Sequence, residues 1–309
     1  MKVAALAGGT GAAKLVRGIA ATIPAADLTI VGNTGDDTDV WGLHVCPDLD
    51  TVLYALAGLL DVSRGWGRAA ETFHCLETMT ALGEDAWFRL GDRDLALHLR
   101  RTRALGAGER LSSITAAITQ ALGVTARILP MSDDPVRTRV RTPEGWLTFQ
   151  EYFVREKARV EVLEVAYEGA ANARPAPRVL EAIAEADAVV VCPSNPVTSI
   201  GPILAVPGIA GALGQTRARI AAVSPIIGGA AVSGPAGQLL AARGLPVSPL
   251  GVARAYAPWL DVLLIAPGDA TLAPALEHSG VRPCITDILM TDRASEVALA
   301  RRVLDAVAP

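Results

Sequence analysis

Five short apolar runs recur along this sequence, and each passes directly into a loop rich in glycine, serine, asparagine or proline. The five junctions are KVAALA-GGTG, LTIVG-NTGDD, AVVVC-PSNP, RIAAVS-PIIGG and DVLLIA-PGD. Near-continuous apolar strands separated by helical segments are typical of a parallel sheet that helices cover on both faces. In such a sheet, the loops at the carboxyl ends of the strands share one edge, where ligands bind. The pattern therefore predicts an α/β fold with a mostly parallel sheet and five loops around one crevice.

The strand pattern disappears between about residues 63 and 123. This stretch predicts three helices that each close on a glycine, namely GRAAETFHCLETMTALG, DRDLALHLRRTRALG and ERLSSITAAITQALG. A mostly helical block in an α/β chain predicts an insertion packed over the crevice, within a single domain spanning residues 1–309. The VRTRVRTPEGWLTFQ stretch that follows predicts a β-hairpin with a Pro-Glu-Gly turn.

Composition excludes several classes of protein. Hydrophobic residues make up 51% of the chain, which is enough for a sizeable core and argues against a disordered chain. Lys plus Arg (28) nearly balance Asp plus Glu (32) without a basic run, so we expect no nucleic-acid partner. No apolar run approaches the length of a membrane span. The four cysteines are scattered without CxxC spacing, which favours buried thiols of a cytoplasmic protein.

A glycine loop joins the first predicted strand to a helix, with Gly8, Gly9, Thr10 and Gly11 at the junction. Glycines let the backbone approach a phosphate closely, and the helix N-terminus supplies N–H donors. Lys14, one turn into the helix, could offset phosphate charge. The motif lacks the Gly-Lys-Ser/Thr ending of a P-loop, and Lys14 occupies the place of the third glycine of a dinucleotide fingerprint. We interpret the loop as a phosphate or nucleotide site, with a simple tight turn as the alternative.

An acidic loop follows the second predicted strand, in a chain that is only 19% charged. The stretch NTGDDTDVWGLHVCPDLDT carries five aspartates, Asp36, Asp37, Asp39, Asp48 and Asp50. A helix N-terminus accounts for two of them, with Asp48 as the predicted N-cap and Asp50 in the first turn. Magnesium prefers a few carboxylates together with ligand phosphates. The loop therefore predicts a Mg²⁺ site beside the phosphate loop.

Two further segments carry candidate ligand contacts. In CPSNP, prolines fix the backbone around Ser194 and Asn195, which suits phosphate or base contacts or simply a rigid turn. Arg89 stands just before a predicted helix, between Phe88 and Leu90, where a charged residue is hard to explain as part of a solvated face. No nucleophile motif appears, so covalent catalysis is not favoured.

These motifs together resemble the CofD/FbiA transferases, which build the deazaflavin coenzyme F-420. The resemblance rests on ten phrases in order: GGTGAAKL, VGNTGDD, CPDLDTVLY, RGWG, WFRLGDRDLALHLRRT, ILPMSDDPVRT, FQEYFV, CPSNPVTSIGPIL, VSPIIGGAAVSGPA and GVARAY. It covers nearly the whole chain. The family implies a homodimer of Rossmann-like α/β fold with a helical insertion.

The resemblance also implies a reaction. The expected activity is a Mg²⁺-dependent transfer from a guanosine diphosphate ester of a three-carbon acid to the deazaflavin Fo, with GMP released. The primary hydroxyl of the Fo ribityl chain would attack the phosphorus distal to guanosine. The three-carbon acid stays open among phosphoenolpyruvyl, 2-phospho-L-lactyl and a glyceryl relative, with a slight preference for the enolpyruvyl donor.

Residue roles follow from the resemblance by position. Asp50 and Arg89 are the implied Fo contacts, and Asp50 could orient the ribityl hydroxyl or accept its proton. The glycine loop and the PSNP segment are the implied donor contacts. Mg²⁺ is assigned to Asp50 with help from Asp48 or Asp37. The chain departs from the family at Ala266, where an aspartate is expected.

Two alternatives remain open at this point. A sister family resembling the YvcK gluconeogenesis factor shares the glycine-loop sheet and regulates rather than catalyses. PDLDTVLY, the Arg89 segment and the helical insertion argue against it. An NAD-dependent oxidoreductase is disfavoured because the third glycine is missing and Asn33 stands where a ribose-binding acid belongs.

Overall fold

The computed structural model describes residues 1–308. The strands are β1 (Val3–Ala7), β2 (Leu28–Gly32), β3 (Thr38–Val40), β4 (Leu43–Val45), β5 (Arg127–Pro130), β6 (Arg137–Thr142), β7 (Gly145–Thr148), β8 (Glu164–Glu168), β9 (Ala188–Val191), β10 (Arg219–Val223), β11 (Ile226–Ile227), β12 (Ala230–Ala231), β13 (Val262–Ile265) and β14 (Arg282–Ile285). The helices are α1 (Gly9–Ala20), α2 (Pro47–Leu56), α3 (His74–Ala81), α4 (Asp92–Gly106), α5 (Leu111–Ala121), α6 (Val179–Ala184), α7 (Gly201–Ala205), α8 (Ile209–Gln215), α9 (Ala236–Ala242), α10 (Pro249–Ala255), α11 (Ala273–His278) and α12 (Arg293–Val307).

A seven-stranded parallel sheet forms the centre of the fold, in the order β14-β13-β10-β9-β1-β2-β5. Every neighbouring pair in it is parallel, and Leu6 of β1 pairs with Val31 on one side and Val191 on the other. The five apolar runs are the five central strands β2, β1, β9, β10 and β13, so the predicted parallel sheet is confirmed. Strand order reverses between β1 and β9, which makes that junction the switch point where Rossmann-like sheets bind ligands.

Helices cover both faces of the sheet, as predicted. Alternate residues of β1 point to opposite sides, because strand side chains alternate. Leu6 belongs to a core cluster that includes Ile183 of α6 and Leu239 of α9. Ala5 belongs to a second cluster that includes Leu15 of α1 and Leu299 of α12. The near-continuous apolar strands are therefore explained by burial on both faces.

The three helices predicted between residues 63 and 123 are present as α3, α4 and α5. Gly83 and Gly123 follow α3 and α5 with φ of +90° and +71°, the left-handed conformation that glycine adopts without strain. Helix α4 spans the residues of its predicted stretch and ends on Gly106, and Gly108, with φ of +86°, turns the chain just beyond it. Helix α3 begins only at His74, well inside its predicted stretch. The assignment of residues 1–309 to a single domain stays a prediction.

The predicted hairpin is also present. Strands β6 and β7 pair antiparallel, with Thr142 opposite Gly145 across the Pro143–Glu144 turn. Strand β8 pairs with the other side of β6, giving a small sheet in the order β7-β6-β8. The backbone N–H of Thr138 on β6 donates to the carbonyl of Gly35, 2.7 Å away. The small sheet therefore packs against the acidic loop.

No single helix in residues 1–308 is both long and apolar enough to cross a membrane. Two segments, Pro196–Ala205 and Ile209–Gln215, reach that length only when joined across an 87° bend. Their side chains Ile200, Ile203 and Leu213 belong to the core.

Candidate active site at the switch point

The glycine loop and the PSNP loop meet where β1 and β9 end. The backbone N–H of Gly8 donates to the hydroxyl oxygen of Ser194, 3.2 Å away. A β-carbon on Gly11 would overlap the carbonyl oxygen of Pro193. The sequence-predicted loops therefore converge at the switch point, and glycine is required there by the close approach of two backbones.

Helix α1 begins at Gly9 without a side-chain N-cap. Gly9 has φ of +72°, so glycine is required by the backbone conformation as well. A β-carbon on Gly8 would lie 2.5 Å from a carboxylate oxygen of Asp48, and one on Gly65 would lie 3.4 Å from a side-chain carbon of Thr10. The start of α1 thus faces the acidic loop on one side and the insertion on the other. Its N–H groups form the kind of site that binds phosphate.

Two residues predicted to contact the donor have structural partners instead. The ammonium of Lys14 donates to the carbonyl of Met290, 2.8 Å away, just ahead of α12. The side-chain oxygen of Asn195 accepts from the backbone N–H of Val197 at 2.9 Å and so caps the helical turn Pro196–Ile200. The rigid-turn interpretation therefore holds for Asn195. A donor contact by either residue stays a prediction.

Replacing Gly11 by Ala tests the close approach of the glycine loop to Pro193. Alanine favours a helix over glycine by about 1 kcal/mol, yet the new methyl group overlaps a backbone oxygen that cannot rotate away. We expect the free energy of unfolding to fall by about 1–3 kcal/mol, measured by urea denaturation. Gly106→Ala is the matched control because nothing lies within 4 Å of its β-carbon, and it should stabilise. Equal effects of the two changes would contradict the assigned packing.

Asn33 ties the acidic loop to the loop after β9. Its side-chain nitrogen donates to the Asp48 carboxylate at 2.9 Å and to the Thr198 carbonyl at 3.1 Å. Its side-chain oxygen accepts from the backbone N–H of Gly35 at 2.8 Å. Asn33 is fully buried, so all of its hydrogen bonds are made inside the protein. An amide at this strand end therefore organises the site, where a dinucleotide enzyme would place an acid.

Three carboxylates are buried together behind the glycine loop. Asp36, Asp37 and Asp48 are only 3%, 4% and 8% exposed. Burial raises the pKa of Asp36 well above its usual range, and the negative charge of Asp48 raises it further. Burial also raises the pKa of Asp48 to about 6, partly offset by its hydrogen bonds from Asn33 and Gly9. The three carboxylates repel one another, and a bound cation would stabilise their ionised forms.

Several buried polar atoms around this cluster have no hydrogen-bond partner within residues 1–308. They are the Oδ1 atoms of Asp36 and Asp37 and the hydroxyl oxygens of Thr34, Thr138 and Thr198. Buried polar groups in folded proteins are nearly always paired with protein, water or a ligand. The five atoms lie on the acidic loop, on β6 and after β9. Their gathering marks the switch point as a polar binding site.

Helix α2 begins two residues earlier than predicted. It starts at Pro47, with Cys46 in the N-cap position and no side-chain cap. The prediction of Asp48 as N-cap was therefore wrong, since proline suits the first helical position and shifts the start. Asp48 and Asp50 both lie in the first turn, where the helix dipole favours negative charge.

Asp50 has a partner that the sequence did not indicate. Arg101 of α4 donates to both carboxylate oxygens of Asp50, one of them at 3.0 Å, and both side chains are buried. The imidazole Nδ1 of His98 lies 3.8 Å from the same carboxylate. This ion pair fixes the helical insertion to α2. The implied roles of Asp50 in catalysis, Fo binding and Mg²⁺ binding stay predictions, and its oxygens are already engaged.

The partners of Asp50 belong to a buried polar face of α4. Asp94, His98 and Arg101 recur at the three- and four-residue spacing that places side chains on one side of a helix. Asp94 accepts from the hydroxyl of Tyr54 on α2 and lies 3.5 Å from the His98 ring. The spacing was visible in the sequence, yet a charge run on a helix is usually a solvated face. Only the docking of α4 on α2 shows that this face is buried.

Arg89 lies on the exposed surface of the insertion. Its guanidinium is 4.7 Å from the ring centre of Phe73. Arg64 lies over both Phe73 and Trp66, at 5.7 and 5.3 Å. Arg89 is exposed and contacts Phe73, whereas Asp50 is buried and contacts Arg101. The two residues do not contact a common neighbour in these interactions. A role for Arg89 in Fo binding stays a prediction, with Phe73 and Trp66 as aromatic neighbours.

A family model described as "2-phospho-L-lactate transferase CofD" matches residues 3–302 of this chain. The chain belongs to the CofD family. The resemblance drawn from the ten sequence phrases is thereby confirmed, and the chain is a transferase of this family.

Relatives with both transferase names resemble the chain closely. It is 45% identical to a phosphoenolpyruvate transferase of Streptomyces griseus, over 99% of this chain and 98% of that protein. It is 43% identical to a 2-phospho-L-lactate transferase of Methanosarcina acetivorans, over 97% of each chain. The chain is almost equally identical to relatives of the two names, so sequence identity does not favour either three-carbon acid.

The fold has a solved counterpart of more distant sequence. A UPF0052 family protein of Bacillus halodurans superposes with a TM-score of 0.64 at 19% identity, covering 98% of each chain. That likeness supports the CofD-family fold and no statement about activity.

Ala266, where the resemblance implies an aspartate, is buried at the end of β13, and it is followed three residues later by a buried aspartate, Asp269. Both carboxylate oxygens of Asp269 accept from the backbone N–H of Gly228, at 3.1 and 3.2 Å. Asp269 thus joins the loops after β13 and β10 at the same sheet edge as the glycine loop.

Proposed function

We propose that this CofD-family enzyme transfers a phosphoenolpyruvyl or 2-phospho-L-lactyl group from its guanosine diphosphate ester to the ribityl hydroxyl of Fo, releasing GMP. The observation that carries the proposal is the set of buried polar side chains beside the glycine loop, namely Asp36, Asp37, Thr34, Thr138 and Thr198. The N–H group of Gly9 already donates to Asp48, and the N–H groups that follow it at the start of α1 suit the diphosphate. Polar side chains beside them suit phosphorus chemistry. The sequence similarity to transferases of both donor types supports the same reaction.

We propose that Mg²⁺ is held by Asp36, Asp37 and Asp48. All three carboxylates are buried. Burial raises the pKa of Asp36, and the charges of Asp48 and Asp37 raise it further, so the three lie close enough to interact. Buried, mutually repelling carboxylates fit a hard cation that takes oxygen ligands. When bound, Mg²⁺ would neutralise charge on the diphosphate. Asp36 replaces Asp50 in the ligand set that the resemblance implied, because Arg101 already engages Asp50.

The protein's own contribution is alignment and charge compensation without a covalent intermediate. The N–H groups at the start of α1 would bind donor phosphate oxygens, while Ser194 and Asn33 hold the surrounding loops in place. The Asp50–Arg101 pair would position the insertion over the crevice. Holding two reactants in line accounts for a large share of the rate in phosphoryl transfer.

The acceptor side and the assembly are further parts of the proposal. We propose that Fo approaches the switch point along the exposed surface of the insertion, where Arg89, Phe73 and Trp66 offer a cationic and aromatic surface. Planar aromatic ligands stack on such surfaces. We also propose a cytoplasmic homodimer whose partners are these small molecules.

Binding of Mg²⁺ should stabilise the enzyme more as pH rises. Burial raises the pKa of Asp48 to about 6, above its ordinary value of about 4. Its favourable contribution to folding is therefore complete below about pH 4 and is lost as pH rises through about 6. Protons compete with a cation for these carboxylates. We expect Mg²⁺ to raise the melting temperature clearly at about pH 7.5 and little at about pH 5, by differential scanning calorimetry. The same shift at both pH values would contradict the carboxylate site.

Product analysis tests the reaction. Purified enzyme would receive Fo, Mg²⁺ and an equal mixture of the enolpyruvyl and lactyl guanosine diphosphates. A deazaflavin heavier by one phospho-acid unit, with GMP released, supports the proposal, and the two products differ by two hydrogens in mass. Absence of product, with the melting temperature unchanged by Fo, would overturn the proposal and favour a nucleotide-binding regulator.

A further inference from the structure

A second cluster of metal-ligating side chains lies beside the carboxylates, on the β3–β4 hairpin and its flanks. Asp37 precedes β3, His44 lies on β4, and Cys46 occupies the N-cap position of α2. One ligand atom from each of the three lies within 4.8 Å of the other two. This set combines a carboxylate, an imidazole and a thiol, which hard cations such as Mg²⁺ do not select.

Two of the three distances in the cluster are close to those between ligands of a small tetrahedral ion. Asp37 Oδ2 lies 3.2 Å from His44 Nε2 and 3.1 Å from Cys46 Sγ, and the three ligand atoms all lie within 4.8 Å of one another. Zinc bond lengths of about 2.0–2.3 Å place neighbouring ligands about 3.3–3.6 Å apart. The spacing around Asp37 is therefore compatible with such an ion.

The imidazole of His44 is already oriented for a metal. Asp39 and His44 are directly opposite each other on the hairpin, and Asp39 Oδ1 lies 3.4 Å from His44 Nδ1. If a metal replaces the proton shared between Nε2 and Asp37, a carboxylate at the other ring nitrogen would hold the imidazole in place. Nε2 is the nitrogen that faces Asp37 and so the centre of the cluster.

The Asp37 carboxylate and the neutralised charge of Arg101 both favour the binding of a cation at this cluster. The Asp37 side chain is almost completely buried, and its Oδ1 has no hydrogen-bond partner within residues 1–308. The nearby guanidinium of Arg101, which would repel a cation, is neutralised by its contact with both oxygens of Asp50. A buried carboxylate with spare coordination capacity is thus available to an ion.

We propose that Asp37, His44 and Cys46 form a binding site for a thiophilic divalent cation of the zinc class. Binding breaks the S–H bond of Cys46, the thiolate binds the metal, and the proton leaves to solvent. Three protein ligands leave one position of a tetrahedral ion open. Because Asp37 also belongs to the proposed Mg²⁺ site, occupancy by such an ion would compete with the Mg²⁺ ligand set.

Cobalt is the probe, since Co²⁺ bound to thiolate absorbs in the near ultraviolet and tetrahedral Co²⁺ absorbs strongly in the visible. The whole enzyme without substrates would be titrated with Co²⁺ alone. We expect both absorptions to appear with one equivalent and to disappear when Zn²⁺ is added. Mg²⁺ shares Asp37 but binds thiolate poorly, so it should weaken both absorptions only in large excess over Co²⁺. Cys46→Ser should lose the near-ultraviolet absorption, whereas Cys284→Ser, a half-buried cysteine on β14, should retain it.

Two further variants keep the proposal testable if Cys46→Ser does not fold. His44→Gln should weaken Co²⁺ binding, and Asp39→Asn, which disturbs only the orientation of His44, should weaken it by about 10- to 100-fold. A wild-type enzyme without the thiolate absorption, or Cys46→Ser with it intact, would overturn the proposal. The readout involves neither Fo nor a donor nucleotide, so it is independent of the transfer reaction.

Discussion

Asp48→Asn is expected to lower kcat/KM for the transfer by at least about 10²-fold. Asp48 would hold the Mg²⁺ ion that compensates phosphate charge, and such an ion is worth several kcal/mol in the transition state. The measurement is GMP release at saturating Mg²⁺. Asparagine preserves the shape of the side chain, and its oxygen can still accept from Asn33, so the loop contacts survive. The loss would therefore reflect charge rather than packing.

The stability of the same variant separates a functional role from a structural one. Asp48 carries a pKa raised to about 6, so above that pH its buried charge costs folding free energy. We expect Asp48→Asn without Mg²⁺ to be at least as stable as the wild type at neutral pH. Asp39→Asn is the matched control in the same loop, since its side chain is 70% exposed, and it should retain transfer activity. A variant both inactive and clearly unfolded would argue that Asp48 is structural.

Arg101→Met is expected to lower the free energy of unfolding by about 3–5 kcal/mol, because it leaves the Asp50 carboxylate buried without its partner. Asp50 and Arg101 lie on α2 and α4, so the change should also loosen the insertion from the sheet domain. Urea denaturation followed by circular dichroism gives the stability, and hydrogen exchange of α4 shows where the structure opens.

Two controls isolate the ion pair. Arg103→Met removes an exposed arginine from the same helix and should change stability by less than about 0.5 kcal/mol. Combining Asp50→Asn with Arg101→Met removes the unpaired charge and should recover most of the loss, which a double-mutant cycle measures. A double variant as unstable as the sum of the two single changes would contradict direct coupling between Asp50 and Arg101.

Much of the fold could be predicted because the strands of a doubly covered parallel sheet are apolar along their whole length. The five central strands and their loops followed from that property alone. Strand β14 was not predicted, because RPCI is half-exposed at the sheet edge and contains a proline.

The site could be located from the sequence, but its internal partners could not. Strand ends that carry Gly8, Asn33 and Ser194 must meet at one edge of a parallel sheet. The choice between Asp36 and Asp50 as a metal ligand depends on whether a cation already engages the carboxylate. That cation is Arg101, 51 residues away on the insertion, and its contact with Asp50 exists only after the insertion has docked. Residues so far apart in the sequence pair only through tertiary structure, and the local sequence around Asp50 does not show the pairing.

Direct binding of Mn²⁺, a spectroscopic substitute for Mg²⁺, tests the central claim that the buried carboxylates at the switch point hold the metal. The electron paramagnetic resonance signal of free Mn²⁺ falls as the ion binds, and it would be followed with and without GDP for the wild type, Asp36→Asn and Asp305→Asn, which changes an exposed aspartate of α12. We predict that the wild type and Asp305→Asn bind Mn²⁺ alike and that Asp36→Asn binds it at least about tenfold more weakly. Equal binding by Asp36→Asn and the wild type would contradict the assignment.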